Sequence, residues 1–257
     1  LALLTGNRKG PRVLAGQKAV LKLIPNLNPK DLAGGVVIWD HITDDERLVK
    51  EIMRSAVQAG AQAHEHAVVL DYHYNLNTKI YEINVKQNET SRTYQARKLV
   101  NATGPWVDKI RAKAGEKTED FLVPVAGSHV EVKKFTDYSV ILRAQDERIF
   151  FVINLGPRSR IGTTERVCKD PDTVKPLDEE VEYLLCELER YFPNVRLSSE
   201  DILSKDSGIR PLAKPKEAQT PHDISREHEI RIGPTGVIHV LGVKLTDHRR
   251  AAKEVID

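Results

Sequence analysis

The chain has 257 residues and carries 39 lysines and arginines against 37 aspartates and glutamates, a formal net charge of +2. This length is enough for one large domain or two smaller ones, each with its own core. The charge balance, and the lack of basic runs interleaved with aromatic residues, predict no nucleic acid partner. No apolar run is long enough to span a membrane, and no signal peptide is predicted.

Cysteine and histidine usage predicts no metal site. Cys168 and Cys186 are the only cysteines. They suggest neither a disulfide scaffold nor a metal-binding pair, so free thiols of a cytosolic type are expected. His64 and His66 would share one face of a strand and could chelate a metal ion. The sequence offers no obvious third ligand, and we interpret both as ordinary polar positions.

The first part of the chain alternates helix and strand signals. A short helix is predicted over residues 16–24, ended by Pro25, and the apolar run at 36–39 is typical of a buried strand. A second helix is predicted over 43–59, with Gly60 at its end. The carboxylates at its start are expected to favour the helix dipole rather than to bind a metal.

The next stretch has the spacing of a β-meander. Asn75, Asn77 and Asn88 mark its turns. Its short strands are predicted at 61–69, 71–74, 79–86 and 93–96.

A strand-to-helix turn follows the meander. The strand at 98–101 runs into the sequence ATGPW at 102–106, and a helix then continues to about Ala114. Small residues at such a turn let the backbone approach a ligand closely. The alternative is a plain turn with proline at the first helical position. The spacing alone favours neither interpretation.

From Leu122 the pattern is rich in strands. Gly127, Ser128 and His129 are expected to interrupt the first of them. A lone histidine beside a strand is more often a polar structural residue than a catalyst, although its near-neutral titration would suit proton transfer. The predicted elements are strands at 122–134, 138–143, 148–155 and 158–163, and a helix over 176–191.

Two arginines lie among short strands near the C-terminus. Arg210 precedes Pro211, which biases it to an extended backbone, and Arg226 leads into an alternating strand at 228–232. Arginine offers a forked pair of donors that matches phosphate or carboxylate. On spacing alone, each of them is more often a solvated surface charge than an anion ligand.

A lysine completes this C-terminal region. Lys244 follows a strand at 237–241 and a turn at Gly242. It stands just before Thr246, which is predicted to be the N-cap of a helix. A helix N-terminus with nearby cations suits an anion.

Motifs distributed from about Val13 to Ala252 carry a family resemblance. In sequence order they are GGVVIWDHITDDERL at 34–48, VNATGPWVD at 100–108, VPVAGSHVEV at 123–132, IGTTE at 161–165, GIRPL at 208–212, SREH at 225–228 and GVKLTDHRR at 242–250. Together they resemble the FAD-dependent glycerol-3-phosphate dehydrogenases and the related glycerophosphate oxidases.

The resemblance implies an enzyme that oxidises sn-glycerol 3-phosphate to dihydroxyacetone phosphate, with hydride transfer to FAD and electrons passed on to quinone or oxygen. It implies that Arg210 and Arg226 bind the phosphate. His129 would bind the C2 hydroxyl and remove its proton, a catalytic role that Arg210 would share. Lys244 would contact the substrate and stabilise negative charge beside the flavin. Contacts to FAD are implied for Ala102, Thr103, Gly104, Gly242, Lys244, Leu245 and Thr246.

The implied fold class is α+β, in which an α/β FAD-binding portion is interleaved with a substrate domain of mixed or antiparallel sheet. It is similar to the glycine oxidase-like flavoprotein fold. Residues 34–121 would form part of the FAD-binding domain, to which residues 233–257 return. Residues 122–232 would form the substrate-binding domain, and residues 1–33 an N-terminal connecting segment.

One expected motif is missing. Dinucleotide-binding proteins carry G-x-G-x-x-G between a first strand and a helix, and none of the 15 glycines belongs to such a motif. We therefore interpret the chain as the middle of a longer enzyme and predict that by itself it binds FAD weakly or not at all. For the longer enzyme we expect a cytoplasmic location, with peripheral membrane contact and a homodimer as further expectations.

The sequence departs from the family pattern at several positions, and two alternatives to that assignment stay open. Val243 replaces a second glycine before the lysine, and Glu165 replaces an aspartate. A β-branched residue lacks the backbone freedom of glycine.

The first alternative is a related flavin-dependent amino-acid or glycine oxidase, which would bind a carboxylate. The second is a non-catalytic fragment that binds anions.

Overall fold

The computed structural model describes residues 10–117, 119–215, 224–225 and 227–257. The helices are α1 (Gln17–Leu21), α2 (Asp45–Gln58), α3 (Val107–Lys113), α4 (Asp178–Tyr191) and α5 (His248–Ile256). The strands are β1 (Arg12–Ala15), β2 (Gly34–Val37), β3 (Ala67–Asn75), β4 (Ile80–Gln87), β5 (Thr90–Ala96), β6 (Val100–Asn101), β7 (Leu122–Lys133), β8 (Val140–Arg143), β9 (Ile149–Asn154), β10 (Arg158–Gly162), β11 (Arg166–Val167), β12 (Ile202–Ala213), β13 (Glu229–Ile232) and β14 (Ile238–Leu241).

The chain divides into two compact units, and it passes between them within β7 and β12. The first unit contains the chain up to Ile42, Ala126–Glu165 and Val174–Gly208, and the second contains Thr43–Val125, Arg166–Thr173 and Ile209–Asp257. The functional domains expected from the resemblance, with limits at 121/122 and 232/233, stay a prediction.

The core of the first unit lies between a sheet and a helix. β10 pairs antiparallel with β7 and with β9, and β8 extends the sheet beyond β9. Alternate side chains of these strands face α4, so that Val130, Val152 and Ile161 pack with Leu184 and Leu188 almost without exposure. Burial of apolar area contributes roughly 25 cal/mol per Å², so this contact is the main stabilising feature of the unit.

A buried carboxylate connects α4 to the strands of the same unit. Glu180 accepts hydrogen bonds from Ser128 Oγ at 2.7 Å and from Thr164 Oγ1 at 2.8 Å. It also accepts one from the backbone N–H of Leu177 at 3.2 Å, at the start of the helix. A buried carboxylate is tolerated only when such donors surround it.

The second unit holds two three-stranded sheets. β3, β4 and β5 form the predicted antiparallel meander, and Asn75 Oδ1 accepts from the backbone N–H of Asn77 at 3.0 Å in its first turn. Asn88, in its second turn, has a positive φ of 55°, a conformation that asparagine tolerates. The other sheet has the order β13-β14-β6.

The helix predicted over 43–59 is α2, which begins two residues later, at Asp45, and ends one residue earlier, at Gln58. Asp44 is its N-cap and accepts from the backbone N–H of Arg47 at 3.0 Å. Gly60 has a φ of 97° just after its end, the left-handed conformation that often terminates helices.

Two predictions about strands are wrong. The run at 36–39 is not buried, because β2 forms a two-stranded ribbon with β1 and pairs with no other strand in the described part of the chain. Val36 and Ile38 are 62% and 52% exposed. The segment containing Ser128 and His129 does not interrupt its strand, because β7 is continuous. Periodicity does not distinguish a buried strand from one in a two-stranded ribbon, since both have the same run of apolar residues.

Within the described residues, the helices are all too short or too polar to cross a membrane.

The buried position of Glu180 leads to a stability prediction. Glu180→Ala leaves two buried hydroxyls without this acceptor, so we expect the free energy of unfolding to fall by about 2–3 kcal/mol. Denaturant unfolding followed by circular dichroism measures the change. Glu182 is exposed on the same helix, and the control Glu182→Ala should cost less than about 0.5 kcal/mol. Equal losses for the two variants would contradict the role given to Glu180.

Candidate functional site

Two parallel strand ends bring together residues that are far apart in the sequence. β6 pairs in parallel with β14, with Val100 opposite Ile238 and Asn101 opposite His239. The segments that follow both strands therefore leave the sheet at the same edge. In open α/β sheets, ligands bind beyond the carboxyl ends of parallel strands. The predicted flavin contacts at 102–104 and 242–246 come from these two segments.

The backbone of these segments requires glycine at two positions. Gly104 and Gly242 have φ values of 58° and 64°, which side chains rarely adopt. A Cβ on Gly242 would also lie 3.2 Å from the backbone oxygen of Glu227. Val243 is not among the described residues with a positive φ. This departure from the family pattern therefore needs no backbone freedom that valine lacks.

A cavity of about 450 Å³ lies against both segments. Its lining is largely apolar and includes one face of α5. It contains three of the predicted flavin contacts, Ala102, Gly104 and Gly242, whereas Thr103, Lys244, Leu245 and Thr246 are outside it. The residues that line it are Val100, Ala102, Gly104, Pro211, Val240, Gly242, Val243, His248, Ala251, Ala252, Val255 and Ile256.

Asn101 holds the first segment in place, and the sequence analysis did not identify it. Its Oδ1 accepts from the hydroxyl of Thr103 at 2.7 Å, and its Nδ2 donates to the backbone oxygen of Val107 at 3.2 Å. Its Nδ2 is also 3.3 Å from Nδ1 of His239 on β14. The Thr103 hydroxyl is therefore engaged within its own turn. An asparagine at the end of an apolar strand is the signal that could have indicated this role.

Burial affects the ionisation of His239. This side chain is completely buried. Burial and the nearby Arg111 guanidinium lower the pKa of His239 below its usual range. The imidazole is thus neutral at pH 7, and it links β6 to β14 through hydrogen bonding rather than through charge.

A second histidine, His228, precedes β13 and contacts α5 and the residue before that helix. His228 is nearly buried, with Nδ1 at 2.7 Å from Asp247 Oδ2 and Nε2 at 2.8 Å from Glu254 Oε2. The hydrogen bond to Glu254 is the main reason why the pKa of His228 is raised above its usual value, and Asp247 adds to it. The sequence signal that could have indicated this contact is the spacing of Asp247 and Glu254, whose carboxylates are two helical turns apart.

The helix start predicted at Thr246 is wrong. A 3-10 turn covers Leu245–Asp247, and α5 begins at His248 with Asp247 as its N-cap residue. No side-chain cap is formed there. The carboxylate of Asp247 instead binds His228, and Lys244 is exposed at the start of the turn.

The remaining predicted residues lie in different parts of the chain. His129 belongs to β7 in the first unit, whereas Arg210 belongs to β12 in the second unit, where it is half-buried. Arg226 lies outside the described residues. The imidazole of His129 lies over Gly162 of β10, because a Cβ there would be 2.3 Å from its Cδ2 atom. Only glycine leaves room for this ring.

This α+β chain combines paired parallel strand ends with a glycine-lined apolar cavity against them, and with a sheet-and-helix unit that carries a histidine. The chain belongs to the FAD dependent oxidoreductase family, whose model matches residues 2–246. This confirms the predicted flavoprotein class.

Relatives with known names make the comparison more specific. The chain is 33% identical over 252 residues to the aerobic glycerol-3-phosphate dehydrogenase of Staphylococcus haemolyticus, covering 95% of this chain and 45% of that protein. It matches the structure of the glycerol-3-phosphate dehydrogenase from Bacillus halodurans complexed with FAD at 31% identity and a TM-score of 0.85. That match covers 96% of this chain and 49% of the other. The chain thus spans about half the length of these relatives.

A more distant match concerns the fold alone. Glycine oxidase from Geobacillus kaustophilus is 19% identical with a TM-score of 0.62, over 93% of this chain and 59% of that one. The predicted α+β fold, similar to glycine oxidase, is confirmed.

The charge of His228 leads to a pH prediction. Its folded pKa is raised above the unfolded value of about 6.5, so its stabilising contribution is complete below that pH and is lost as the pH rises through the folded pKa. The difference in unfolding free energy between wild type and His228→Gln should therefore narrow as the pH rises. Chemical unfolding of both proteins at a series of pH values measures this difference in free energy.

His73, which is exposed on the meander, provides the matched control. His73→Gln should differ little from wild type at every pH. If the difference in unfolding free energy between wild type and His228→Gln is constant with pH, the imidazolium form of His228 makes no contribution to stability.

Proposed function

We propose that the protein that contains this chain oxidises sn-glycerol 3-phosphate to dihydroxyacetone phosphate with FAD as its cofactor. The observation that carries the proposal is the match over 96% of this chain, with a TM-score of 0.85, to a glycerol-3-phosphate dehydrogenase complexed with FAD. The geometry of this chain supports the proposal, because a glycine-lined cavity lies at the ends of two parallel strands.

The residues at the strand ends fit the flavin end of FAD. Their small side chains let a planar ring approach the backbone, and the apolar lining suits an aromatic surface. They do not offer a phosphate cradle, because the sequence has no G-x-G-x-x-G motif. Ala102, Gly104 and Gly242 would hold the ring system, and Lys244 would stabilise negative charge near it. When bound, FAD supplies the acceptor for the hydride that leaves C2.

The residues of this chain would bind the substrate and move its proton. Oxidation of the C2 alcohol to a ketone removes one hydride from carbon and one proton from oxygen. His129 would take the proton from the hydroxyl, because imidazole titrates near neutral pH. Arg210 and Arg226 would bind the phosphate with forked donors, and Arg210 would also act electrostatically on the hydroxyl. Such fixed positioning contributes several kcal/mol to catalysis.

The onward electron acceptor, quinone or oxygen, is part of the same proposal. So are a cytoplasmic location, peripheral membrane contact and a homodimer.

The missing glycine motif leads to a prediction for the chain by itself. After incubation with FAD, the purified chain should lose its flavin absorbance on gel filtration, because no helix N-terminus of the expected kind binds the pyrophosphate. Co-elution of yellow flavin with the protein would contradict this. Bleaching of such flavin by glycerol 3-phosphate without oxygen would show a working dehydrogenase.

The phosphate role of Arg226 is tested in the flavin-loaded enzyme. Arg226→Ala should raise the KM for glycerol 3-phosphate by roughly 10–100-fold, the loss of one charged hydrogen-bonding partner, and leave the KM for glycerol almost unchanged. Arg92→Ala, on the meander, is the control. Equal effects on both substrates would exclude Arg226 from phosphate binding and favour another oxidase.

A further inference from the structure

The two nitrogens of His129 are not equivalent. Nδ1 is buried, although the side chain as a whole keeps 28% of its exposure. Because a buried nitrogen does not meet a substrate hydroxyl, a role of His129 as proton acceptor requires Nε2. The ring is also confined on one side by the backbone of Gly162, since a Cβ there would lie within 3.0 Å of Nε2.

A carboxylate faces the buried nitrogen. Asp206 on β12 places Oδ1 at 3.9 Å from Nδ1 of His129. This distance is too long for a hydrogen bond, but it is short enough for the negative charge to act on the ring. A carboxylate on this side favours the tautomer with hydrogen on Nδ1, and it favours the imidazolium over the neutral ring.

Asp206 is itself held in one orientation. Arg160 donates two parallel hydrogen bonds to its carboxylate, at 2.6 and 2.7 Å. Arg160 also donates to Glu131 at 3.2 Å, and Glu131 accepts from Arg158 at 2.7 Å. Arg160 is the main reason why the pKa of Asp206 is lowered, with a smaller effect from His129. The carboxylate therefore stays ionised at neutral pH.

The sheet register assembles these groups on one face. Gly162 pairs with His129, and Arg160 pairs with Glu131, between β10 and β7. Residues two apart on a strand share a face, so all four positions face the same way. The arrangement is thus a property of the sheet itself rather than of a loose surface contact.

We propose that Asp206, oriented by Arg160, is a positioning residue that holds His129 with its Nδ1 protonated and its Nε2 directed to the substrate hydroxyl. The catalytic part of this inference rests on the proposed function, because it takes His129 as the group that accepts the proton. The electrostatic coupling between Asp206 and His129 does not depend on that function.

The coupling is tested by NMR titration of histidine-labelled protein, with the His129 signals assigned from a His129→Gln variant. In Asp206→Asn we expect the pKa of His129 to fall by about 0.5–1 unit and its Nδ1–H tautomer to lose population. Asp137→Asn is the matched control, since Asp137 pairs with Lys134 at 2.6 Å in the same unit. A His129 titration that is the same in both variants would overturn the proposal.

A second variant changes the pKa in the opposite direction and guards against a folding defect in the first. Arg160→Gln removes a neighbouring cation and frees the carboxylate, so the pKa of His129 should rise. Unfolding curves confirm that each variant is folded. A pKa that falls or stays constant in folded Arg160→Gln would overturn the proposal.

Kinetics separate this inference from the proposed function. In the flavin-loaded enzyme, Asp206→Asn should lower kcat more than it changes KM, and it should move the acid limb of the pH profile to lower pH by the shift seen in NMR. An NMR shift without any change in the pH profile would exclude His129 as the proton acceptor while the coupling stood. If the pKa of His129 measured by NMR is unchanged in Asp206→Asn, Asp206 is excluded as the residue that positions His129.

Discussion

The parallel pairing of β6 with β14 is the constraint on which the cavity of the second unit depends. It joins only two pairs of residues, yet it places the segments after both strands at one edge. Side chains support the pairing, because Nδ2 of the buried Asn101 lies 3.3 Å from Nδ1 of the buried His239 on the neighbouring strand. This contact gives the buried Nδ1 of His239 a hydrogen-bond partner. Gly104 and Gly242 therefore line one cavity although they stand far apart in the sequence.

A comparable constraint operates in the first unit. Ser128 donates its hydroxyl to the buried Glu180 of α4, which directs its side chain to the core. Successive residues of a strand point to opposite faces, so His129 must face away from that core. The buried carboxylate of Glu180 and the half-buried imidazole of His129 are thus two results of one strand register. This register also sets Gly162 beneath the imidazole.

Local features of the fold were predictable because local chemistry decides them. Asp44 and Gly60 mark the ends of α2, and Asn75 and Asn88 mark turns of the meander, since caps and turns depend on residues a few positions apart. The glycine requirement at Gly104 and Gly242 was likewise visible as small residues in motifs. The failed prediction of a buried Val36 concerns an environment that is set by distant parts of the chain. The helix start predicted at Thr246 failed locally, because Asp247 is the N-cap residue of α5.

By itself, the sequence determined the family and most of the longer helices and strands, and its motifs predicted which segments would meet a flavin. Only the tertiary structure decided which side chains pair. His228 meets Asp247 just before α5 and Glu254 within it. Asp206 faces His129, and Arg160 holds the Asp206 carboxylate. The physical reason is that periodicity and turn chemistry depend on neighbouring residues, whereas ion pairs and strand registers depend on groups that only folding brings within a few ångströms.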